Sequence, residues 1–217
     1  MKPWELRRAA AAVFFPNRCP FCDELIGVFE FWCERCYNRL RFLTGNEEAP
    51  QRLDGFSAVC SYTGRARTAV VRMKRGYYRY PIDAFSVLIA ENAHGLISAA
   101  DMITAVPTSR ERKIELGYAQ SELIAKMISE ISGKPFRRVL EVTPEKREQK
   151  RLNTQQRREN ALRSYRVSRP ELVKGKSVLV IDDICTTGAT LEAIADMLRA
   201  AGAVSVSGAV FARALKR

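Results

Sequence analysis

The spacing of apolar and polar positions divides this chain into strands and helices that alternate along its length. Val178-Leu179-Val180-Ile181 is a short apolar run bounded by Gly175 and Asp182, the pattern of a strand buried on both faces of a parallel sheet. From Thr190 to Ala201 the apolar residues Leu191, Ile194, Ala195, Leu198 and Ala201 recur at helical spacing, with Glu192, Asp196 and Arg199 between them. Ile103 to Val106 predicts a second short buried strand, and Phe56 to Tyr62 a loosely alternating one. Ser164 to Val167 and Val204 to Phe211 predict two more, the latter a last buried strand. Ile82 to Ile97 reads as a helix, and Ala66 to Met73 carries a basic amphipathic pattern. The expected fold class is therefore α/β, a parallel sheet flanked by helices. A polar, turn-rich linker from Thr44 to Pro50 divides the chain into a small module over 1–50 and a larger domain over 51–217.

The junction of the 178–181 strand with the 190–201 helix is where chemistry concentrates. Two adjacent acids, Asp182 and Asp183, end the strand, and Thr186, Thr187, Gly188, Ala189 and Thr190 lead into the helix. Open α/β folds bind ligands at this carboxyl edge of the sheet. Unpaired amides at the positive end of a helix dipole, with threonine hydroxyls beside them, suit a phosphate monoester. Gly188 lets the backbone approach a ligand closely. The carboxylates accept hydrogen bonds from vicinal hydroxyls or help to hold a hard cation. Phosphate on one side and a diol on the other describe a ribose 5-phosphate. A Walker loop is excluded, because no Gly-x-x-x-x-Gly-Lys-Ser/Thr occurs.

The N-terminal part carries a different signature. Residues Ala9 to Phe15 follow Arg7 and Arg8, but the apolar stretch is short, Glu5 intrudes and no small-x-small cleavage site follows that stretch before Pro16-Asn17-Arg18, so an amphipathic helix in a cytosolic protein is expected rather than a signal peptide. Cys19-Pro-Phe-Cys22 and Cys33-Glu-Arg-Cys36 follow. Two Cys-x-x-Cys pairs about one hairpin apart place four thiolates within reach of one tetrahedral ion. The expectation is structural zinc in a compact ribbon, because four sulfur ligands leave no open position for water. A redox dithiol and a pair of disulfides are the alternatives. A cytosolic chain argues against the second, and the tandem arrangement against the first. Cys60 and Cys185 read as small buried hydrophobes.

Charge changes the picture in two places. The formal net charge of the 217 residues is +12, which attracts polyanions without identifying one. Lys74-Arg-Gly-Tyr77-Tyr78-Arg79-Tyr80 interleaves cations with tyrosines, suited either to nucleic acid or to a surface and interdomain contact. Glu145 to Arg163 is strongly basic, either a solvated face or a mobile flap or nucleic-acid contact. After the 103–106 strand, the loop holding Thr108, Ser109, Arg110, Arg112 and Lys113 is suited to neutralising a polyanionic leaving group. Ser-His-Asp hydrolysis is excluded, since His94 is the single histidine. No apolar run is long enough to span a bilayer.

The run from Val178 to Leu191 resembles the phosphoribosyl pyrophosphate (PRPP) motif of type I phosphoribosyltransferases. With Phe15-Pro-x-Arg-Cys19-Pro-x-Cys22, Cys33-x-x-Cys36, Val106-Pro107, Arg112, Gly117-Tyr118-x-Gln120, Gln149-x-x-Leu152 and Arg157-Arg158-x-Asn160, the whole chain resembles the ComF family of competence proteins. Tyr118-Ala119 stands where that family usually has Phe-Asn, and Asn153 where it has a serine. The resemblance implies a type I phosphoribosyltransferase-like sheet behind a four-cysteine zinc module, in a cytoplasmic protein that binds PRPP with Mg²⁺. It implies phosphoribosyl transfer to an unidentified acceptor, a role in DNA uptake, or both. Asp182 and Asp183 then serve the ribose, Thr186 to Thr190 the 5-phosphate, and Thr108 to Arg110 the pyrophosphate, whose charge Arg110, Arg112 and Lys113 neutralise. Single-stranded DNA and a helicase-like protein are the implied partners. The alternative is a non-catalytic DNA-binding or partner-docking module whose PRPP pocket is a sensor or relic.

Overall fold

The computed structural model describes residues 3–45, 49–75, 80–143 and 163–215. Its strands are β1 (Gly55–Ser61), β2 (Met102–Ala105), β3 (Leu140–Val142), β4 (Tyr165–Val167), β5 (Ser177–Cys185) and β6 (Ser205–Arg213). The helices are α1 (Pro3–Ala12), α2 (Glu34–Tyr37), α3 (Gly64–Lys74), α4 (Tyr80–Asn92), α5 (His94–Ala99), α6 (Arg110–Leu116), α7 (Gln120–Ser132), α8 (Pro170–Val173) and α9 (Ala189–Ala200). Four strands form one sheet in the order β1-β6-β5-β2, and every pairing in it is parallel.

The apolar run of β5 is continuous because helices cover both faces of the sheet. Leu179 and Ile181 enter a core with Met73, Phe85, Ile89, Ile124 and Ile128 from α3, α4 and α7. Val178 and Val180 face the other way, onto Leu191, Ile194 and Leu198 of α9. Phe211 of β6 anchors the first core, its ring stacked on Phe85 with centroids 3.7 Å apart.

The cysteine-bearing module shares that core. Cys19, Phe21 and Cys36 are fully buried in it, and Phe21 stacks on Phe211 with centroids 6.3 Å apart. Backbone bonds run from Ser61 N–H to Arg41 O at 2.8 Å and from Leu43 N–H to Val59 O at 3.0 Å. Residues 41–43 thereby extend the sheet beyond its β1 edge. Arg8 of α1 lies over the Phe31 ring and pairs with Asp83 of α4 at 3.5 Å.

Several elements differ from their sequence reading. The 82–97 helix is two helices, because Ala93 leaves helical geometry at φ −99° and ψ 19°. The strand expected over 164–167 pairs antiparallel with β3, outside the main sheet. The loop carrying Arg110 to Lys113 is helical: Ser109 caps α6 by accepting the Arg112 N–H, and Gly117 ends it at φ 76°. Helix α7, for which the sequence reading had no element, buries Ser121, Ile124, Ala125 and Ile128 at helical spacing. The Gly76 to Arg79 part of the tyrosine-rich segment lies outside the described residues, as does 144–162 with Lys146, Arg147, Lys150, Arg151, Arg157 and Arg158.

Candidate functional site

Strand β5 continues past its apolar run through Asp182 and Asp183 to Cys185. On one side it stays paired with β6 as far as Cys185 opposite Arg213. On the other, β2 pairs only to Ala105 opposite Ile181, and Val106 N–H gives the last bond, 3.0 Å to Ile181 O. The next residue is Pro107, which has no N–H to donate, so the two chains part there. The cleft that opens puts the acid pair beside the loop after β2.

A cavity of about 250 Å³ fills this cleft. Thr108, Ser109 and Arg112 line it from the β2 side, and Asp182, Asp183, Thr186 and Thr190 from the β5 side. Lys74, Gln120, Ser121 and Tyr165 also line it. Of the residues singled out in the sequence, Thr108, Ser109, Arg112, Asp182, Asp183, Thr186 and Thr190 thus share one cavity, whereas Thr187, Gly188 and Ala189 do not line it. Arg110 and Lys113 point elsewhere: they line a neighbouring cavity of about 300 Å³ with Glu122, Phe136, Arg138 and Glu141. There Glu122 is held by Arg138, by Lys126 at 2.8 Å and by Lys113 at 3.9 Å. Pro107 and Thr108 border both cavities and form the wall between them.

The two acids have unequal surroundings. Asp182 Oδ1 accepts the Ser121 hydroxyl at 2.8 Å and the Asp183 N–H at 2.9 Å. Burial and the charge of Asp183 push its carboxyl up to about 7, although Lys74 and the Ser121 bond oppose the rise. Asp183 instead has a cation, with its Oδ2 2.8 Å from Lys74 Nζ. Burial works against the Lys74 ammonium, yet the charge of Asp183 beside it holds its pKa above the ordinary value. Both carboxylates offer the hard oxygen donors that Mg²⁺ prefers, with Lys74 as the cation already in place.

The loop from Thr186 to Thr190 begins α9. Gly188 stands at its N-cap with φ 85°, and the Thr187 hydroxyl accepts the Ala189 N–H at 3.4 Å. A Cβ on Gly188 would lie 2.9 Å from Pro50 Cγ, so the 49–51 segment packs directly on this turn. Cys185, one turn earlier, is buried, and burial raises its thiol to about 11.

Lys74, Gln120, Ser121 and Tyr165 were not singled out as site residues from sequence. Lys74 stood in the sequence as part of a basic, tyrosine-rich segment suited either to nucleic acid or to a surface and interdomain contact. Gln120 was visible only within the Gly117-Tyr118-x-Gln120 motif. Gln120 is 5% exposed, and its Nε2 has no hydrogen-bond partner among the described residues. A buried amide donor left unpaired costs on the order of 1–3 kcal/mol.

In the N-terminal module, the sulfurs of Cys19, Cys22, Cys33 and Cys36 all lie within 4.8 Å of one another. The Cys22 and Cys33 sulfurs are 3.7 Å apart, where a tetrahedral ion with Zn–S of about 2.3 Å sets its sulfurs about 3.8 Å apart. Burial pushes the Cys19 and Cys36 thiols up; at Cys33 hydrogen bonds from Cys36 and its neighbours outweigh burial and lower it. Four thiols this close do not all ionise without a shared cation. All six cysteines are free in this structure. The donor set fits a metal ion of the zinc type.

Residues 121–217 match the model of the phosphoribosyl transferase domain, and the four-cysteine cluster lies outside that match. The chain is similar to the DNA utilization protein YhgH of Escherichia coli O157:H7, 31% identical over 121 residues. The YhgH protein of Salmonella typhimurium is 30% identical over 125 residues. Each alignment covers 55% of this chain and 52% of the relative, so the match spans about half the length of these relatives.

Among solved structures, the allosteric regulatory enzyme of purine biosynthesis aligns over 64% of this chain and 25% of its own, with 23% identity and TM-score 0.42. A purine phosphoribosyltransferase from Pyrococcus horikoshii aligns over 61% of this chain and 72% of its own, with 19% identity and TM-score 0.39. Among the described residues, no helix is long and apolar enough to cross a membrane.

Proposed function

We propose that this chain binds PRPP with Mg²⁺ in the cavity between the β2–α6 loop and the end of β5, and transfers the phosphoribosyl group to an acceptor in the use or uptake of DNA. The observation that carries this reading is the convergence of the Asp182–Asp183 pair with Thr186, Thr190, Thr108, Ser109 and Arg112 on one cavity. The 5-phosphate is received by the Thr186–Thr190 turn, where the start of the twelve-residue α9 supplies amide donors and a positive dipole end. Asp182 and Asp183 hold the ribose hydroxyls, and Ser121 fixes the orientation of Asp182. The pyrophosphate lies toward Thr108, Ser109 and Arg112.

In the reaction, a lone pair of the acceptor forms a bond to the anomeric carbon. The bond from that carbon to pyrophosphate breaks, and its electrons leave with the pyrophosphate. The chain forms no covalent bond; it binds, orients and neutralises charge as that charge develops. Mg²⁺, held by the carboxylates and the ligand, would add Lewis-acid stabilisation of the leaving group. Zinc held by Cys19, Cys22, Cys33 and Cys36 has a structural role. The name of the YhgH relatives, DNA utilization proteins, supports the link to DNA, with the +12 charge favouring a polyanionic partner.

Calorimetric titration with PRPP, with and without Mg²⁺ and then with single-stranded DNA, tests the reading. Metal-dependent micromolar binding supports it. Absent PRPP binding, together with tight salt-sensitive DNA binding, would leave a DNA-handling module instead.

A further inference from the structure

Lys74 is the one cation whose head group makes an ion pair inside this cavity among the described residues. It belongs to the last turn of α3, on the sheet face opposite α9 and its phosphate-binding turn. That turn of α3 is fixed from outside, because the Tyr118 hydroxyl donates to Met73 O at 2.9 Å. Tyr118 follows the Gly117 cap of α6, so this bond links the helix carrying Arg112 to the end of α3 carrying Lys74. The Lys74 side chain is 35% exposed and Asp183 only 9%. Both side chains line the cavity, the lysine being the more exposed of the pair.

Gln120 is the second observation. It lies at the first position of α7, a helix of 13 residues, and lines the same cavity. Its Nε2 is a buried donor with no partner among the described residues. A helix N-terminus, an unpaired amide donor and an ammonium around one space are the elements of an anion site. The 5-phosphate already has the α9 turn, and the remaining anion of the same ligand is its pyrophosphate.

Building on the PRPP reading above, we infer that Lys74 and Gln120 bind the pyrophosphate arm of the substrate, and that the Lys74–Asp183 pair is the counter-ion arrangement of the empty site. When Asp183 turns to the ribose hydroxyls and their cation, Lys74 is released toward the incoming anion. One residue thereby neutralises the acid pair before binding and the leaving group afterwards.

The test compares PRPP with ribose 5-phosphate, which lacks the pyrophosphate, by calorimetry in Mg²⁺. Lys74→Met and Gln120→Leu are each measured beside the wild type, with Lys74→Gln as a second neutral variant should Lys74→Met fail to fold. The expected result is a loss of PRPP affinity on the order of 10- to 100-fold for Lys74→Met, with ribose 5-phosphate affinity changed less than threefold. Equal losses for the two ligands would overturn the inference and leave Lys74 as a counter-ion of Asp183 alone. A wild type that binds neither ligand would instead refute the PRPP reading on which the inference rests.

Discussion

Pro50 and Gly188 meet so closely that a Cβ on Gly188 would lie 2.9 Å from the proline Cγ. The segment leaving the cysteine module therefore packs on the turn that begins α9. It is tied there a second time, because Gln51 N–H donates to the Glu192 carboxylate at 2.8 Å. The two parts of the chain are coupled at the site as well as through the Phe21–Phe211 contact.

This contact makes Gly188→Ala a severe change for two separable reasons, the left-handed φ of 85° and the collision with Pro50. We expect a loss of about 2–4 kcal/mol in stability, from backbone strain and overpacking together. Thermal denaturation of Gly188→Ala with and without Pro50→Ala separates the two. The double variant should recover the part of the loss due to the proline ring, and no recovery would mean that the ring Cγ contact carries no cost.

Asp182 gives the empty protein a pH dependence of defined sign. Its carboxyl titrates near 7 in the folded state because of burial and Asp183, but near 4 when unfolded. Between those values the folded state keeps a proton that the unfolded state has lost. Stability from this group therefore falls as pH rises from about 4 to about 7, by at most about 1.4 kcal/mol per unit. Asp182→Asn should flatten the slope of melting temperature against pH over that window. An unchanged slope would refute the assignment.

Replacing both acids, as Asp182→Asn with Asp183→Asn, should abolish PRPP binding while the protein stays folded. Calorimetry beside circular dichroism reads both outcomes, and unchanged binding would remove the carboxylates from the proposed site.

The cysteine cluster should behave as a structural metal site. Metal analysis is expected to find one zinc per chain, and Cys19→Ser to lose it. Because Cys19 and Phe21 are buried in the same core as Phe211, that loss should lower the melting temperature of the whole protein. A variant that lost its metal but melted unchanged would show that the module is energetically separate.

Phe211 is fully buried and stacks against both Phe85 and Phe21. Phe211→Ala should cost about 3–5 kcal/mol, the range for a large aromatic removed from a packed core. Denaturant titration measures this, and a loss below about 1 kcal/mol would show that the site collapses around the cavity.

The sequence by itself determined the local elements whose signal is local. The apolar run of β5, the helical spacing of α9, the acid pair and threonine turn between them, and the cysteine spacing are all contiguous patterns. Backbone geometry and side-chain periodicity follow directly from such patterns. It also specified which face of β5 is apolar, which is both of them, and so the helix-covered parallel sheet.

Only the tertiary structure decided the composition of the site's walls. Lys74 is separated from Asp183 by more than a hundred positions, and nothing in its basic neighbourhood distinguishes a pocket lysine from a surface one. Arg110, Arg112 and Lys113 look alike in sequence, yet α6 turns Arg112 toward the acid pair and the other two into the adjoining cavity. That sorting comes from a helical rotation of about 100° per residue, which the loop reading of this segment did not include. The union of the cysteine module with the sheet was equally hidden. A turn-rich linker marks a change in the chain's local pattern, whereas the burial of Phe21 against Phe211 depends on where two distant apolar surfaces meet.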